Sequence, residues 1–183
     1  MDRRPQSAAP QRKEGIRAPA PRRLSVDRAV RLLLEVFDQA YKAPAWHGTP
    51  LKGTLRGVSA RDALWRPGRG GHCIWDLVLH TAYWKCMVRR RLLRDAEIAF
   101  PRAGRNWFDP PRPAHDAAWK RDRALLDEQH RLLRRAIAGL RASDLARRGS
   151  HSRWPIKAEV YGIASHDLYH AGQIQILKRL MRK

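Results

Sequence analysis

No stretch of this chain approaches the roughly 18–20 consecutive apolar residues that a membrane-crossing helix needs, so no segment is expected to span a bilayer. The N-terminal stretch lacks an apolar h-region, and no secretory signal is expected. Cysteine is scarce: Cys73 and Cys86 are the only two. Both fall on one expected helix, about 20 Å apart at 1.5 Å per residue, too far to bridge to each other. They read as small buried thiols in a reducing cytosol, and a cytoplasmic location is expected. Strand-like alternation is absent, which argues against a sheet. The chain also has no serine-hydrolase elbow, glycine-rich phosphate loop or cysteine-based zinc pattern. Acidic residues are few, 17 against 38 basic ones, leaving a net charge of +21. Such a charge suggests nucleic acid, because basic surfaces neutralise phosphates and release counterions. However, 30 of the 38 basic residues are arginine, as a GC-rich genome would produce, and they are scattered over every segment. No recognition helix stands out, so specific nucleic-acid binding is not expected. Weak, nonspecific polyanion binding in vitro is.

The 183 residues suit one domain, and 43% hydrophobic residues can build a core. Residues 1–23 carry almost no large apolar side chain except Ile16 and read as a disordered basic tail. The domain proper is expected over 24–183. Four long helical stretches follow. The first starts after Ser25 as N-cap and carries Val26, Val30, Leu33, Leu34, Phe37 and Tyr41, with Pro44 helping to end it. The second runs from about Ile74 to Arg94. The third covers about Asp116 to Leu140, where Trp119, Leu126, Leu133 and Leu140 recur every seven residues. The fourth starts near Pro155, which suits a first helical turn, and continues to Leu180. A short extra helix fits Ala60 to Leu64. The class is therefore all-α. Linkers at about 42–72, 95–115 and 141–156 are longer than antiparallel neighbours require, so a bundle containing parallel neighbours is allowed.

The histidines carry the chemical signal. On the fourth helix the apolar stripe of Val160, Ile163, Ile174, Leu177 and Met181 continues through its middle onto His166 and His170. At i and i+4 these lie about 6 Å apart along the helix and about 40° apart around it, so two imidazoles can meet one ion. The inward stripe of the second helix, Leu77, His80, Trp84, Met87 and Val88, also contains a histidine. Core histidines that merely hydrogen-bond are the alternative. Three inward histidines near the middle of two helices favour a metal, since a buried imidazole needs a partner.

The stretches IWDLVLHTAYWK and VYGIASHDLYHAGQIQILKRL resemble the DinB/YfiT-like superfamily, and the resemblance covers roughly residues 25–183. It implies a DinB-like four-helix bundle with long connecting loops in up-down-down-up order. It also implies a divalent transition metal (zinc, nickel or iron) on His80, His166 and His170. Three imidazoles leave positions open for water or substrate, and they suit these metals better than magnesium or calcium.

Four further residues are candidates for the pocket or for support of the ligands. Gln173 lies seven residues after His166 on the same face, where it would hydrogen-bond a bound water or substrate. Asp76, one turn before His80, would orient an imidazole, or else serve as a first-turn carboxylate. Trp46 and His47, beside a glycine in a long loop, would form a lid. Asp122, Gln129 and His130 on the third helix are expected as solvated flank positions, and Glu159 as helix-start electrostatics. Tyr83 and Tyr169 read as packing, and His72, His115 and His151 as solvated loop residues. No acidic residue stands out as a general base.

The resulting expectation is a metal-dependent hydrolase, or a transferase using a low-molecular-weight thiol, acting on a small-molecule substrate and with an apolar content that allows a homodimer. The competing reading is a metal-stabilised interaction module without turnover, since family resemblance alone does not establish chemistry.

Overall fold

The structure is a computed structural model describing residues 27–68 and 70–182. The basic tail at 1–23 and the expected cap Ser25 lie outside the described residues. The described residues form six α-helices, α1 (Arg28–Tyr41), α2 (Leu51–Thr54), α3 (Ala60–Leu64), α4 (Ile74–Leu93), α5 (Asp116–Ala138) and α6 (Ile156–Leu180), with a 3-10 turn at Ala142–Asp144. No strand occurs among the described residues.

The helix ends follow local chemistry. Asp27 caps α1 by accepting from the Ala29 N–H at 2.9 Å. The start at Arg28 corrects the expected start after Ser25: the first buried stripe residue is Val30, and Asp27 is the nearer capping side chain. Ser59 and Asp62 form a reciprocal capping box at α3. Arg94, at φ 55°, closes α4 in the left-handed conformation. In α5, Trp119, Leu126 and Leu133 are buried, whereas Leu140 lies past the end of the helix and is only partly covered. Two short elements were not expected, α2 and the 3-10 turn; at four and three residues they are too short to show a hydrophobic period.

Side-chain pairs establish the order and direction of the bundle. Phe37 stacks on His130, while Tyr41 donates to Asp127 and Arg134 donates to Asp38, so α1 and α5 are antiparallel. Trp75 bonds Asp122 near the start of α4, and Arg89 and Leu93 lie with Leu132 and Arg135 near its end, so α4 and α5 are parallel. His80 faces His166 and Arg91 faces Glu159, so α4 and α6 are antiparallel. It follows that α1 runs parallel to α6, and the four long helices are ordered up-down-down-up. The long linkers make the parallel neighbours possible. The two strongest helix contacts of α6 are with α1 and α4, which places its inward face between them.

Among the described residues, one ion pair is fully buried on both sides. Lys85 on α4 and Asp167 on α6 are fully buried and paired at 2.5 Å. The ammonium also lies 4.9 Å from the Phe37 ring and 5.0 Å from the Tyr41 ring, inside cation–π range. Burial pushes Asp167 up to about 6 and Lys85 down.

Candidate metal centre

The antiparallel pairing of α4 and α6 brings His80 against His166 and His170. The ligand-capable nitrogens of the three rings all lie within 4.8 Å of one another. Nε2 of His166 is 3.1 Å from Nε2 of His80 and 3.0 Å from Nε2 of His170. Imidazole nitrogens that share an ion at about 2.0–2.1 Å stand about 3 Å apart, so the spacing fits a transition metal.

The outer nitrogens settle which way two of the rings are protonated. Nδ1 of His80 is 2.9 Å from the Asn106 carbonyl, which can only accept, so the ring donates there and turns its Nε2 lone pair inward. Nδ1 of His170 is 2.6 Å from Gln173 Oε1, with the same consequence. His166 has no such partner: its Nδ1 is buried and unbonded. If His166 carries its proton on Nε2, it donates to one neighbour, leaves the lone pair of the other without a donor and leaves its own buried Nδ1 without a partner. If the proton is on Nδ1, three lone pairs converge and a buried donor is orphaned. A cation among the three Nε2 atoms removes the clash of lone pairs, so the donor set fits one. Burial also pushes the rings toward the neutral, ligating form: His166 down to about 3, His170 down to about 4, and His80 below its ordinary value.

The 95–115 linker contributes what no helical period announces. Asn106, at φ 67°, occupies the left-handed conformation that asparagine tolerates. Its carbonyl takes the His80 proton and its side-chain oxygen accepts from Trp84 Nε1 at 2.9 Å. Trp107 stacks on His80 with ring centroids 3.9 Å apart, and His72 stacks on the other side of Trp107 at 3.7 Å. His72 is exposed, as expected, and is also the outer layer of a three-ring stack. A loop residue has no fixed direction in sequence, so neither Asn106 nor Trp107 carried a signal.

Other candidates fall elsewhere. Asp76 accepts from Cys73 N at 3.0 Å and holds Arg66 through both oxygens, which leaves it as a helix-start carboxylate and not the His80 partner. Trp46 is fully exposed, and His47 lies beside Leu168 and Gly172. Position 168 is two residues from 166, about 200° around α6, so His47 is on the flank opposite the histidines and forms no lid over them. Asp122, Gln129 and His130 are buried instead of solvated. Asp122 bonds Trp75 and Arg102, and His130 is sandwiched by Phe37 and Tyr41. The reason is their position on the α5 face turned toward α1 and α4. Tyr83 packs on Phe100 and Phe108 as expected, whereas Tyr169 is exposed at the edge of His170. Cys73 and Cys86 are both free and buried.

Beside the cluster, between α4 and α6, lies a cavity of about 640 Å³ that reaches His80 and His166. Trp84, Val88 and Ile163 give it an apolar wall, and Arg91 and Glu159 lie along it. Glu159 is buried and binds Arg91 at 3.2 Å and also Ser152, so it is a pocket residue as well as a first-turn carboxylate.

An all-α bundle in up-down-down-up order, with three convergent imidazoles on two helices and a cavity beside them, defines a class of candidate metal-binding bundles. A sequence model of the DinB superfamily matches residues 46–174, well over half of the chain, and the chain belongs to that superfamily. No curated protein and no solved structure matches it. No helix among the described residues is long and apolar enough to cross a membrane.

Proposed function

We propose that His80, His166 and His170 hold one divalent transition metal (zinc, nickel or iron) and that the chain is a metalloenzyme acting on a small molecule by hydrolysis or by a transfer that uses a low-molecular-weight thiol. The observation carrying this reading is the convergence of three Nε2 atoms with no hydrogen-bonding arrangement that satisfies them all. A bound ion of this kind supplies Lewis acidity that generates a nucleophile from water or a thiol near neutral pH. The chain's own contribution is orientation and exclusion of water. The Asn106 carbonyl and Gln173 hold two rings in the ligating tautomer, Trp107 covers the face of His80, and Trp84, Val88 and Ile163 form a dry wall beside the site. Both oxygens of Glu159 are engaged by Arg91 and Ser152, so the proton acceptor for either chemistry is not a free carboxylate of this cavity.

The test is metal content of protein purified without an affinity tag. About one transition-metal ion per chain is expected, lost in His166→Ala. A metal-free wild type that cannot be loaded, or an unchanged content in the variant, would remove the assignment. One ion per chain with no turnover of ester or thiol-adduct substrates would favour the non-catalytic interaction module.

A further inference from the structure

The cavity between α4 and α6 has features that the three-histidine site does not require. Its walls are apolar over most of their length, and its volume lies within the range of about 300–1,000 Å³ typical of small-molecule sites. Gly162 lies on this wall in the second turn of α6, inside the helix, where glycine weakens it. Its backbone needs no glycine, and a Cβ built there would meet nothing within 4 Å. Gly162 is solvent-exposed, and the missing side chain leaves the mouth of the cavity open.

The polar end of the cavity is unequal in what it offers. Glu159 is occupied on both oxygens. Arg91 spends only Nη1 on it, and among the described residues neither Nε nor Nη2 of Arg91 bonds a protein oxygen. The guanidinium lies over the Trp84 ring, 5.5 Å from its centroid, and is partly exposed. What remains for an occupant is a donor fork suited to a carboxylate. Glu159 lies seven residues before His166, about 10 Å along the helix.

We propose that this cavity binds an organic carboxylate with an aryl or alkyl body about 10 Å long, its carboxylate on Arg91 and its other end at His80 and His166. The placement of that other end as the reacting end rests on the metal reading above; the binding does not. Trp84, Val88 and Ile163 take the apolar body, and the length of the body selects substrates able to span both ends.

The experiment titrates the full chain as purified with 6-phenylhexanoate and with the neutral 6-phenylhexan-1-ol, following tryptophan fluorescence and calorimetry. The carboxylate should bind about tenfold tighter than the alcohol, as a charge-assisted pair predicts. Gly162→Leu obstructs the mouth of the cavity and should weaken both probes at least tenfold, with unchanged metal content and a melting temperature no lower than wild type. Arg91→Met combined with Glu159→Gln, which leaves no buried charge unpaired, should erase the preference for carboxylate and keep alcohol binding. No binding of either probe to wild type, binding unaffected by Gly162→Leu, or a preference that survives the double variant would each overturn the proposal. A wild type that is metal-free and cannot be loaded, yet binds the probes in a Gly162-dependent way, would sink the metal reading and leave the cavity assignment standing.

Discussion

His166 differs from the other two histidines in having no anchor for its outer nitrogen, so the orientation of the cluster depends on the anchors of His80 and His170. The anchor of His80 is a backbone carbonyl and no side-chain change deletes it. The anchor of His170 is Gln173, which is open to substitution. Gln173→Leu keeps the apolar stem and removes the acceptor at 2.6 Å, so the His170 ring loses its tautomer preference. Loss of such an outer partner typically costs about 10–100-fold in metal affinity. Competition with a chelator of known affinity should show that loss, and an affinity equal to wild type would mean that Gln173 does not act on the ligand. His130 poses a different problem at the same scale. It is stacked between Phe37 and Tyr41, and burial together with the nearby Lys85 drives its pKa down to about 2. Asp38 lies 3.7 Å away, beyond hydrogen-bond reach, and is held by Arg134, so it does not offset this. Below about pH 6.5 the unfolded chain protonates this histidine and the native one does not. Its contribution is therefore whole above that pH and falls as the solution is acidified, by about 1.4 kcal/mol per pH unit at full slope. His130→Phe should flatten urea-derived stability between pH 6 and 4 by about that slope. An unchanged slope would mean that His130 is not buried neutral.

At the scale of elements, α4 and α6 must keep one register for His80 to meet His166 and His170, and the Lys85–Asp167 pair crosses the same interface. Removing one member of a buried pair leaves the other uncompensated, at a cost of about 3–5 kcal/mol, whereas replacing both with apolar residues is often neutral. Lys85→Met should therefore destabilise by about 3 kcal/mol, and adding Asp167→Leu should recover most of it, as measured by chemical denaturation. Failure of the second substitution to recover stability would show that the pair does more than satisfy itself. This pair also marks where reading the sequence reaches its end. The four long helices were visible because Val30, Leu34 and Phe37, or Val160 and Ile163, repeat at helical spacing and are buried. The three histidines were visible for the same reason, as polar residues on apolar stripes. Lys85 was not, because a lysine on a helix normally reaches solvent and its buried partner sits 82 residues away. Asp122, Gln129 and His130 were placed in solvent by residue type, but the rotation of α5 against two neighbours turned them inward. Asn106 and Trp107 were invisible because a loop has no period to break.

For the whole molecule, the question is whether an ion held by the three histidines would build the fold or only join parts already built. The buried core extends along all four long helices in two apolar clusters, and the histidines occupy one level of one interface. Small metal-dependent domains unfold when stripped because they have no such core. This chain should instead keep its helices without metal and lose only the coupling that the ion supplies between α4 and α6. A ligand present at about a thousandfold above its dissociation constant stabilises by about 4 kcal/mol. For a chain of this length each kcal/mol moves the melting temperature by about 2–4 °C. Chelation should thus lower the melting temperature of wild type by about 8–16 °C with little change in far-ultraviolet circular dichroism. Restoring the metal should reverse the shift, and His166→Ala should respond to neither treatment. A collapse of helicity on chelation would instead make the ion part of the fold, because the two apolar clusters would then be insufficient to hold α4 against α6.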